Sequence, residues 1–376
     1  MSLPRRVLVV NAGSSSLKLR LLDADDTVLG SRDLAAEHGR FAAEEVAAAL
    51  RELAWAPPGV SGVDAVGHRI VHGGTRYSEG VRLDPEVLNT LRDLTDLAPL
   101  HQSTSLGGVA AVSSALPDVP AVACFDTAFH ARMPAAAATY AVPAGWRERY
   151  GVRRYGFHGL SHSYAARRAA ELLGREVAGL RVVTCHLGAG ASLTAVHSGR
   201  SVDTTMGFTP LEGLVMATRS GTVDPGLVLW LLQHAGLSAE ELNEALERRS
   251  GLAALAGTPD MREVTERAAS ADGAAALALQ VYLHRLRAAI GAMAAALSGL
   301  DALVFTGGVG ENAPVVRAGA AAGLEFLGIA VNHGRNAAAR GDADVSADGA
   351  PVATLVVSAR EDLEIAREVR RVLSPR

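Results

Sequence analysis

The sequence predicts an α/β protein, and three observations carry that reading. Apolar strand-like runs alternate with helix-period segments along the whole chain. Two strand–turn–strand units, VLVVNAGSSSLKLRLLD from Val7 and RVVTCHLGAGASLTAVHSGR from Arg181, stand about half a chain apart. The length of 376 residues, 49% of them hydrophobic, suffices for two or three domains with sizeable cores. GSSSL in the first unit and GASL in the second suggest two related lobes, although the residues alone equally allow two unrelated hairpins.

The elements follow in chain order. Val7–Val10 is a buried strand that empties into a small polar turn, and Leu17, Leu19 and Leu21 alternate along a returning strand. Residues 44–53 (EEVAAALREL) have helical apolar spacing, residues 63–74 read as a strand and then a loop, and residues 121–130 begin as a buried strand. In the second half, residues 160–174 form an amphipathic helix ending at Gly174. The run 271–297 is a long buried helix, interrupted too often by Asp, Gln, His and Arg to span a membrane. Residues 301–320 read as strand, glycine turn and helix, 335–350 as an exposed loop, and 361–373 as a final helix.

Composition removes several classes of function. The net charge is −4 with both signs interspersed, which gives no electrostatic footprint for nucleic acid or a membrane surface. MSLPRRVLVV is too short in its apolar run for a signal peptide. Cys124 and Cys185 sit in strand-like runs and read as small buried hydrophobes in a reducing compartment, so the expected location is the cytoplasm. The basic residues are one lysine and 35 arginines. Lys18 lies two residues beyond the Asn-Ala-Gly-Ser-Ser-Ser turn, where a compact ammonium suits a tight anion site better than a planar guanidinium fork.

Familiar short motifs are excluded one by one. GSSSLK lacks the ending of a P-loop and is followed by a strand. Ser15-x-x-Lys18 has no companion motifs of a penicillin-binding site, and Gly159-x-Ser161-x-Ser163 misses the second glycine of a hydrolase elbow. His158 and His162 are spaced for a zinc helix, but Gly159 stands where the glutamate is needed. Gly308-Val309-Gly310-Glu311-Asn312-Ala313 fits a dinucleotide fingerprint, yet only about seventy residues follow its start, too few for a full doubly wound domain. What remains is three glycine turns, at Gly13, Gly188–Gly190 and Gly307–Gly310, each able to offer backbone N–H groups to phosphates. Three converging turns would suit a nucleotide triphosphate.

NAGSSSLK, GHRIVHGG, PLH, FDTAFH, YGFHGLSH, CHLGAGAS, MGFTPLEG, TRSGTVDPG, DMR, FTGGVGEN and RED occur in the order and spacing of acetate kinases, and the chain resembles that family from about residue 5 to 370. The resemblance implies the two-lobed, duplicated ribonuclease H-like fold of the sugar kinase/Hsp70/actin superfamily, with the nucleotide in the cleft between lobes. It implies an N-terminal lobe of residues 1–128 closed by 361–376, and a C-terminal lobe of residues 129–360 for nucleotide binding and dimerisation. The implied reaction is reversible, Mg²⁺-dependent transfer of the ATP γ-phosphoryl group to acetate, giving acetyl phosphate and ADP, with Mn²⁺ as a substitute metal. The implied assembly is a homodimer, with neither nucleic acid nor membrane as partner.

The family's functional positions carry over residue by residue. Arg69 matches the arginine that holds the acetate carboxylate, and Val71, Leu100, Phe157 and Pro210 match the small acyl pocket. Such a pocket would make propionate a poorer substrate rather than exclude it. Asp126, His158 and Arg219 match the catalytic set. Arg219 and His158 would stabilise charge on the transferring phosphoryl group, whereas Asp126 is either a proton acceptor or an orienter, the second favoured because acetate is already ionised at neutral pH. Asn11 and Glu361 match the Mg²⁺ positions. Lys18, His186, Leu187, Gly188, Ala189 and Gly190 match phosphate contacts, and Asp260, Met261, Arg262, Gly308, Val309, Gly310, Glu311 and Asn312 match the adenosine side. His101 and His162 read equally well as structural histidines.

Two positions depart from the family: Ala189 where it usually has Asn, and Thr222 where it usually has Asp. The first removes an amide beside the phosphates and the second a carboxylate beside Arg219, which points to weaker nucleotide binding or a changed phosphoryl donor such as pyrophosphate. Rival readings are a kinase for another short carboxylate, a nucleotide-gated binding or scaffold protein on the same fold and, weakest, an oxidoreductase using residues 308–313.

Overall fold

The computed structural model describes residues 4–13, 16–35, 41–54, 62–97 and 99–374. The chain divides into two compact units, residues 1–131 with 360–376, and residues 132–359. The serines Ser14 and Ser15 of the first turn lie outside the described residues.

The first unit is built on strands β1 (Val7–Ala12), β2 (Ser16–Leu22), β3 (Val28–Ala35), β4 (Ala65–Ile70), β5 (Val81–Arg82) and β6 (Ala121–Phe125). They form one sheet in the order β3-β2-β1-β4-β6-β5, with β1, β4 and β6 mutually parallel and the others antiparallel to their neighbours. Leu8, Val10, Leu17, Leu19 and Leu21 form a buried cluster with Val46, Leu50 and Leu53 of the helix Ala43–Ala54 and Val112 of the helix Pro99–Ala115. The C-terminal helix Glu361–Leu373 packs on β1, β4 and β6. Gly67 permits that approach, because a Cβ there would lie 2.5 Å from Ile365 Cγ2 and 2.7 Å from Val369 Cγ2. The final helix therefore brings Glu361 to the sheet that carries Asn11, although 350 residues separate them.

The second unit repeats the same strand order with β7 (Arg181–Leu187), β8 (Ala191–His197), β9 (Arg200–Thr204), β10 (Ala302–Thr306), β11 (Ala343–Asp344) and β12 (Ala353–Val356). Its sheet runs β11-β12-β10-β7-β8-β9, again with a parallel centre of β7, β10 and β12. The helix Gly273–Ala296 lies against β7, β8 and β9, burying Ala275, Ala278, Tyr282, Leu286, Ile290 and Met293 at helical spacing. The two hairpins read from the sequence thus occupy equivalent places in two sheets of one topology.

Two expectations are corrected. Residues 335–350 are not simply an exposed loop: the helix His333–Ala338 and β11 run through them, and Asn336 and Val345 are buried. Arg317 explains the first of these. Its buried guanidinium donates to Asn336 Oδ1 and to the Asn336 carbonyl, both at 2.7 Å, which ties the segment down. The glycines at 307–310 are not an open turn but the first residues of a short helix, Gly307–Asn312, followed by the helix Pro314–Ala321. Arg317 Nη1 donates to the carbonyls of Gly310 and Glu311, satisfying the C-terminal end of that short helix.

Candidate active site

In the first unit the strand ends gather a compact charged cluster. Asn11 lies near the end of β1, opposite Lys18 of β2 in the antiparallel register. Lys18 is exposed, and Asp33 of β3 is paired with it across the sheet. Arg69 on β4 reaches Asp126 just beyond β6, with Nε donating to both carboxylate oxygens at 3.1 Å and Nη2 to Oδ2 at 2.7 Å. Arg69 Nη1 donates to Asn11 Oδ1 at 3.2 Å and lies 3.4 Å from Glu361 Oε2. Asn11 Nδ2 donates to the same Glu361 oxygen at 3.0 Å. Asp126 is fully buried, and that burial raises its carboxyl against the opposing pull of Arg69. The carboxylates of Asp126 and Glu361 outweigh burial at Arg69 and hold its guanidinium firmly charged.

Asn11 and Glu361 offer an amide oxygen and a carboxylate, both hard donors. Among the described residues no group of three or more His, Cys, Asp or Glu side chains is placed to hold a metal. A two-oxygen donor set fits Mg²⁺, which keeps most of its shell as water and phosphate oxygens, and it would serve zinc poorly.

Of the acyl-pocket positions in this unit, Val71 follows β4 directly and is half-buried. Gln102 holds this segment, accepting from the His72 N–H and donating to the His72 carbonyl, both at 3.2 Å. Leu100 and His101 belong to the helix Pro99–Ala115, and their side chains lie outside the described residues.

In the second unit the β7–β8 turn, Gly188–Gly190, closes on itself through Gly188 N–H to the Gly190 carbonyl at 3.0 Å, and Ala217 N–H donates to the Ala189 carbonyl at 3.1 Å. His158 and Arg219 crowd the turn. A Cβ at Gly190 would lie 3.3 Å from His158 Nε2 and 3.6 Å from Arg219 Nη1, so a side chain here would press on both. His158 has a left-handed backbone (φ 55°) just ahead of the helix Gly159–Leu172, a conformation that non-glycine residues rarely adopt and that clusters at functional sites. Its ring stacks on His186 with centroids 4.3 Å apart. Arg219 Nη1 donates to the Pro210 carbonyl at 3.1 Å, and its Nε lies 3.3 Å from Glu247 Oε2. Burial lowers the Arg219 guanidinium, with Glu247 opposing. Phe157 and Pro210 are both buried in this unit.

The expected loss of a carboxylate beside Arg219 is therefore corrected. The Thr222 hydroxyl accepts from Gly213 N–H at 3.1 Å, and Glu247 of the helix Ala239–Arg248 supplies a carboxylate to Arg219. Sequence inspection misses Glu247 because it belongs to an ordinary amphipathic helix, Ala239–Arg248.

A cavity of about 570 Å³ opens in the same unit, within the range for small-molecule sites. Gly188, Ala189, Asp260, Met261, Arg262, Gly308, Val309 and Asn312 line it, as do Leu252 and Tyr282, which no motif flags. Asp260 caps the helix Met261–Ala269 and pairs with Arg262 at 2.6 Å. Leu187, Gly310 and Glu311 are not in its wall. Leu187 is buried in the core, and Glu311 Oε1 instead accepts from the N–H groups of Gly307 and Ala359 at 3.1 and 3.0 Å, bracing the short helix.

Residues 28–367 match the acetokinase family. The chain is 49% identical to an acetate kinase of Leifsonia xyli subsp. xyli over 98% of its own length and 99% of that protein, and 44% identical to one of Carboxydothermus hydrogenoformans over 96% and 98%. Among solved structures it superposes on Porphyromonas gingivalis acetate kinase with a TM-score of 0.87 at 36% identity, covering 98% of this chain and all of that one. It superposes on a propionate kinase of Francisella tularensis subsp. tularensis with a TM-score of 0.89 at 34% identity, with the same coverage. Matches of this identity along nearly the whole chain show that it belongs to the acetokinase family.

Proposed function

We propose that this protein is an acetate kinase of the cytoplasm, transferring the γ-phosphoryl group of ATP reversibly to acetate. Two observations, one in each unit, carry the reading: the first unit holds an oxygen-and-guanidinium cluster, and the second holds a glycine turn, flanked by His158 and Arg219, at a cavity of about 570 Å³. The reaction needs little covalent chemistry from the protein. A carboxylate oxygen attacks phosphorus, the bond to the ADP oxygen breaks, and the electron pair leaves with ADP, so catalysis is positioning and charge stabilisation.

The first unit supplies the acceptor side. Arg69 gives Nε and Nη2 to Asp126, which supports reading Asp126 as the group that aims the guanidinium. The N–H bonds of Arg69 spent on neither Asp126 nor Asn11 serve the acetate carboxylate. Asn11 and Glu361 would hold Mg²⁺, which, when bound, neutralises phosphate oxygens. The second unit supplies the donor side. The 188–190 turn takes the phosphates, the cavity takes the adenosine, and His158 and Arg219 bear on the equatorial oxygens of the transferring group.

The active form is a homodimer formed through the second unit. Its helix Pro225–His234 is strongly apolar yet buries no residue, and Leu229 and Trp230 are each 55% exposed, an arrangement that asks for a second apolar surface. Trp230→Glu is expected to give a monomer by analytical ultracentrifugation.

Hydroxylamine trapping tests the activity. Protein with Mg²⁺, acetate and ATP is expected to yield acetohydroxamate, with propionate giving less and butyrate least. Product with pyrophosphate alone, or with propionate ahead of acetate, would overturn the donor or the acceptor assignment.

A further inference from the structure

Pro210, whose carbonyl accepts from Arg219, sits in the loop 205–213 that follows β9 directly. The loop closes on itself, since a Cβ at Gly213 (φ 115°) would lie 2.9 Å from the Thr205 carbonyl oxygen. Tyr140, Arg154 and the loop's own Glu212, all half-buried, are gathered against it. Phe208 N–H donates to the Tyr140 hydroxyl at 3.0 Å, and that hydroxyl donates to Glu212 Oε2. Arg154 Nη2 donates to Glu212 Oε1 at 2.7 Å, and Nη1 donates to the carbonyls of Thr205 and Met206, both at 3.1 Å. The guanidinium also lies over the Tyr140 ring, 5.3 Å from its centroid. A Cβ at Gly207 would collide with Glu212 Oε2 and the Tyr140 hydroxyl. The Gly207 carbonyl accepts from Tyr155 N–H at 3.0 Å and Gly156 N–H at 3.3 Å, which fastens the loop to the segment ahead of His158.

These bonds run in only one direction. Amide N–H and guanidinium groups donate, carbonyls and carboxylates accept, so the phenol accepts from Phe208 and its single proton goes to Glu212. Burial and the hydrogen bond to Glu212 push Tyr140 above the ordinary phenol range, which keeps that proton in place. Arg154 thus holds residues 205 and 206, Tyr140 holds 208, and Glu212 at the far end accepts from both. Pro210 lies between the held points, and its carbonyl and Glu247 each hold the Arg219 guanidinium.

We propose that Tyr140, Arg154 and Glu212 are positioning residues that hold the 205–213 loop so that its Pro210 carbonyl aims Arg219. None of the three lines the cavity of the same unit, so their loss acts on rate and leaves the nucleoside site as it is. The catalytic consequence rests on reading Arg219 as a ligand of the transferring phosphoryl group, whereas the hold on the loop does not.

Tyr140→Phe removes the hydroxyl and keeps the ring, and Glu212→Gln removes the charge and keeps the shape. Two variants guard against one failing to fold. In the hydroxamate assay each is expected to lower kcat about 10- to 100-fold, the scale on which misplacing a group at the reacting atoms costs rate. KM for ATP should stay nearly constant. Introduced beside Arg219→Ala, the same substitutions should cost almost nothing further, because they act through Arg219. Unchanged kcat in both single variants, or losses that multiply in full in the double variants, would overturn the proposal. Two further measurements need no turnover. Hydrogen exchange of peptides covering 154–158 and 205–213 should be about 2- to 10-fold faster in Tyr140→Phe, the scale of one lost hydrogen bond, with β7 and β10 protected as in the parent. Phenylglyoxal labelling of Arg219, located by peptide mass mapping, should be faster in both variants. Exchange and labelling at the parental rates would also overturn the proposal. A parent that makes no hydroxamate, while both rates rise in the variants, would uphold the hold on Arg219 and overturn the assigned activity.

Discussion

The two units share one strand order but treat their leading hairpins in opposite ways. In the first, β2 alternates between the core and solvent, and β3 has no buried residue, so Lys18 and Arg20 stand out from the sheet. In the second, β8 is buried along six of its seven residues under the helix Gly273–Ala296. The chemistry follows the burial. The exposed hairpin carries full charges, and beside it Arg69 is shared between the carboxylates of Asp126 and Glu361. The covered hairpin cannot afford isolated charge and uses neutral hydroxyl and imidazole groups, each passing a hydrogen bond to the next. One topology thus carries a cluster of full charges beside its first hairpin and a chain of hydroxyl and imidazole groups behind its second, where Arg219 and Glu247 form the nearby ion pair.

The sharpest way to break this contrast is to unbalance the ionic cluster. Asp126→Ala would leave the Arg69 charge without its bidentate partner, and a loss of about 3–5 kcal/mol of stability is expected from urea unfolding. Asp126→Asn, which keeps the shape, should cost less stability but raise the acetate KM. A cut of comparable size is expected on the other side for rate rather than stability. Under the proposed reaction Arg219→Ala should lower kcat about 100- to 1,000-fold, since Arg219 would bear on the reacting oxygens.

Acid distinguishes the units next. Burial pushes His68 on β4 down to about 3 and His72 down to about 4. Both stay neutral when folded and bind protons at about 6.5 when unfolded. Stability is therefore full above that value and falls as the pH drops below it, down to the folded values. Each group takes away about 2 kcal/mol by pH 5. Urea midpoints at pH 7.5 and pH 5 check the sign, and His68→Gln should remove its share of the slope.

Smaller effects sharpen the picture. Gly67→Ala is expected to cost about 1–3 kcal/mol, because its methyl meets Ile365 and Val369 and pushes the C-terminal helix, with Glu361 at its start, off the sheet. Ala189→Asn places an amide on the cavity wall and should lower the ATP KM a few-fold, about 1 kcal/mol or less. Thr222→Asp should change it less, since Glu247 already faces Arg219.

Local chemistry made much of this protein legible from its sequence. Strand and helix periods are set by which side chains seek the core, so both hairpins, the helix Gly273–Ala296 and the final helix could be read from spacing alone. Asn11, Arg69, Asp126, His158 and Arg219 could be singled out because short motifs surround them. Tertiary structure decided what touches them. Glu247 faces Arg219, and the Thr184–His162–Ser192 chain backs His158, through residues drawn from separate elements. The glycines at 307–310 became helix once Glu311 and Arg317 satisfied the backbone around them, which no local propensity would favour. Glu361 reached Asn11 across 350 residues only because Gly67 lets a helix lie close on β4. A side chain's own burial is written in its neighbours along the chain; its partner is fixed by packing between distant segments, and a single sequence carries no record of that distance.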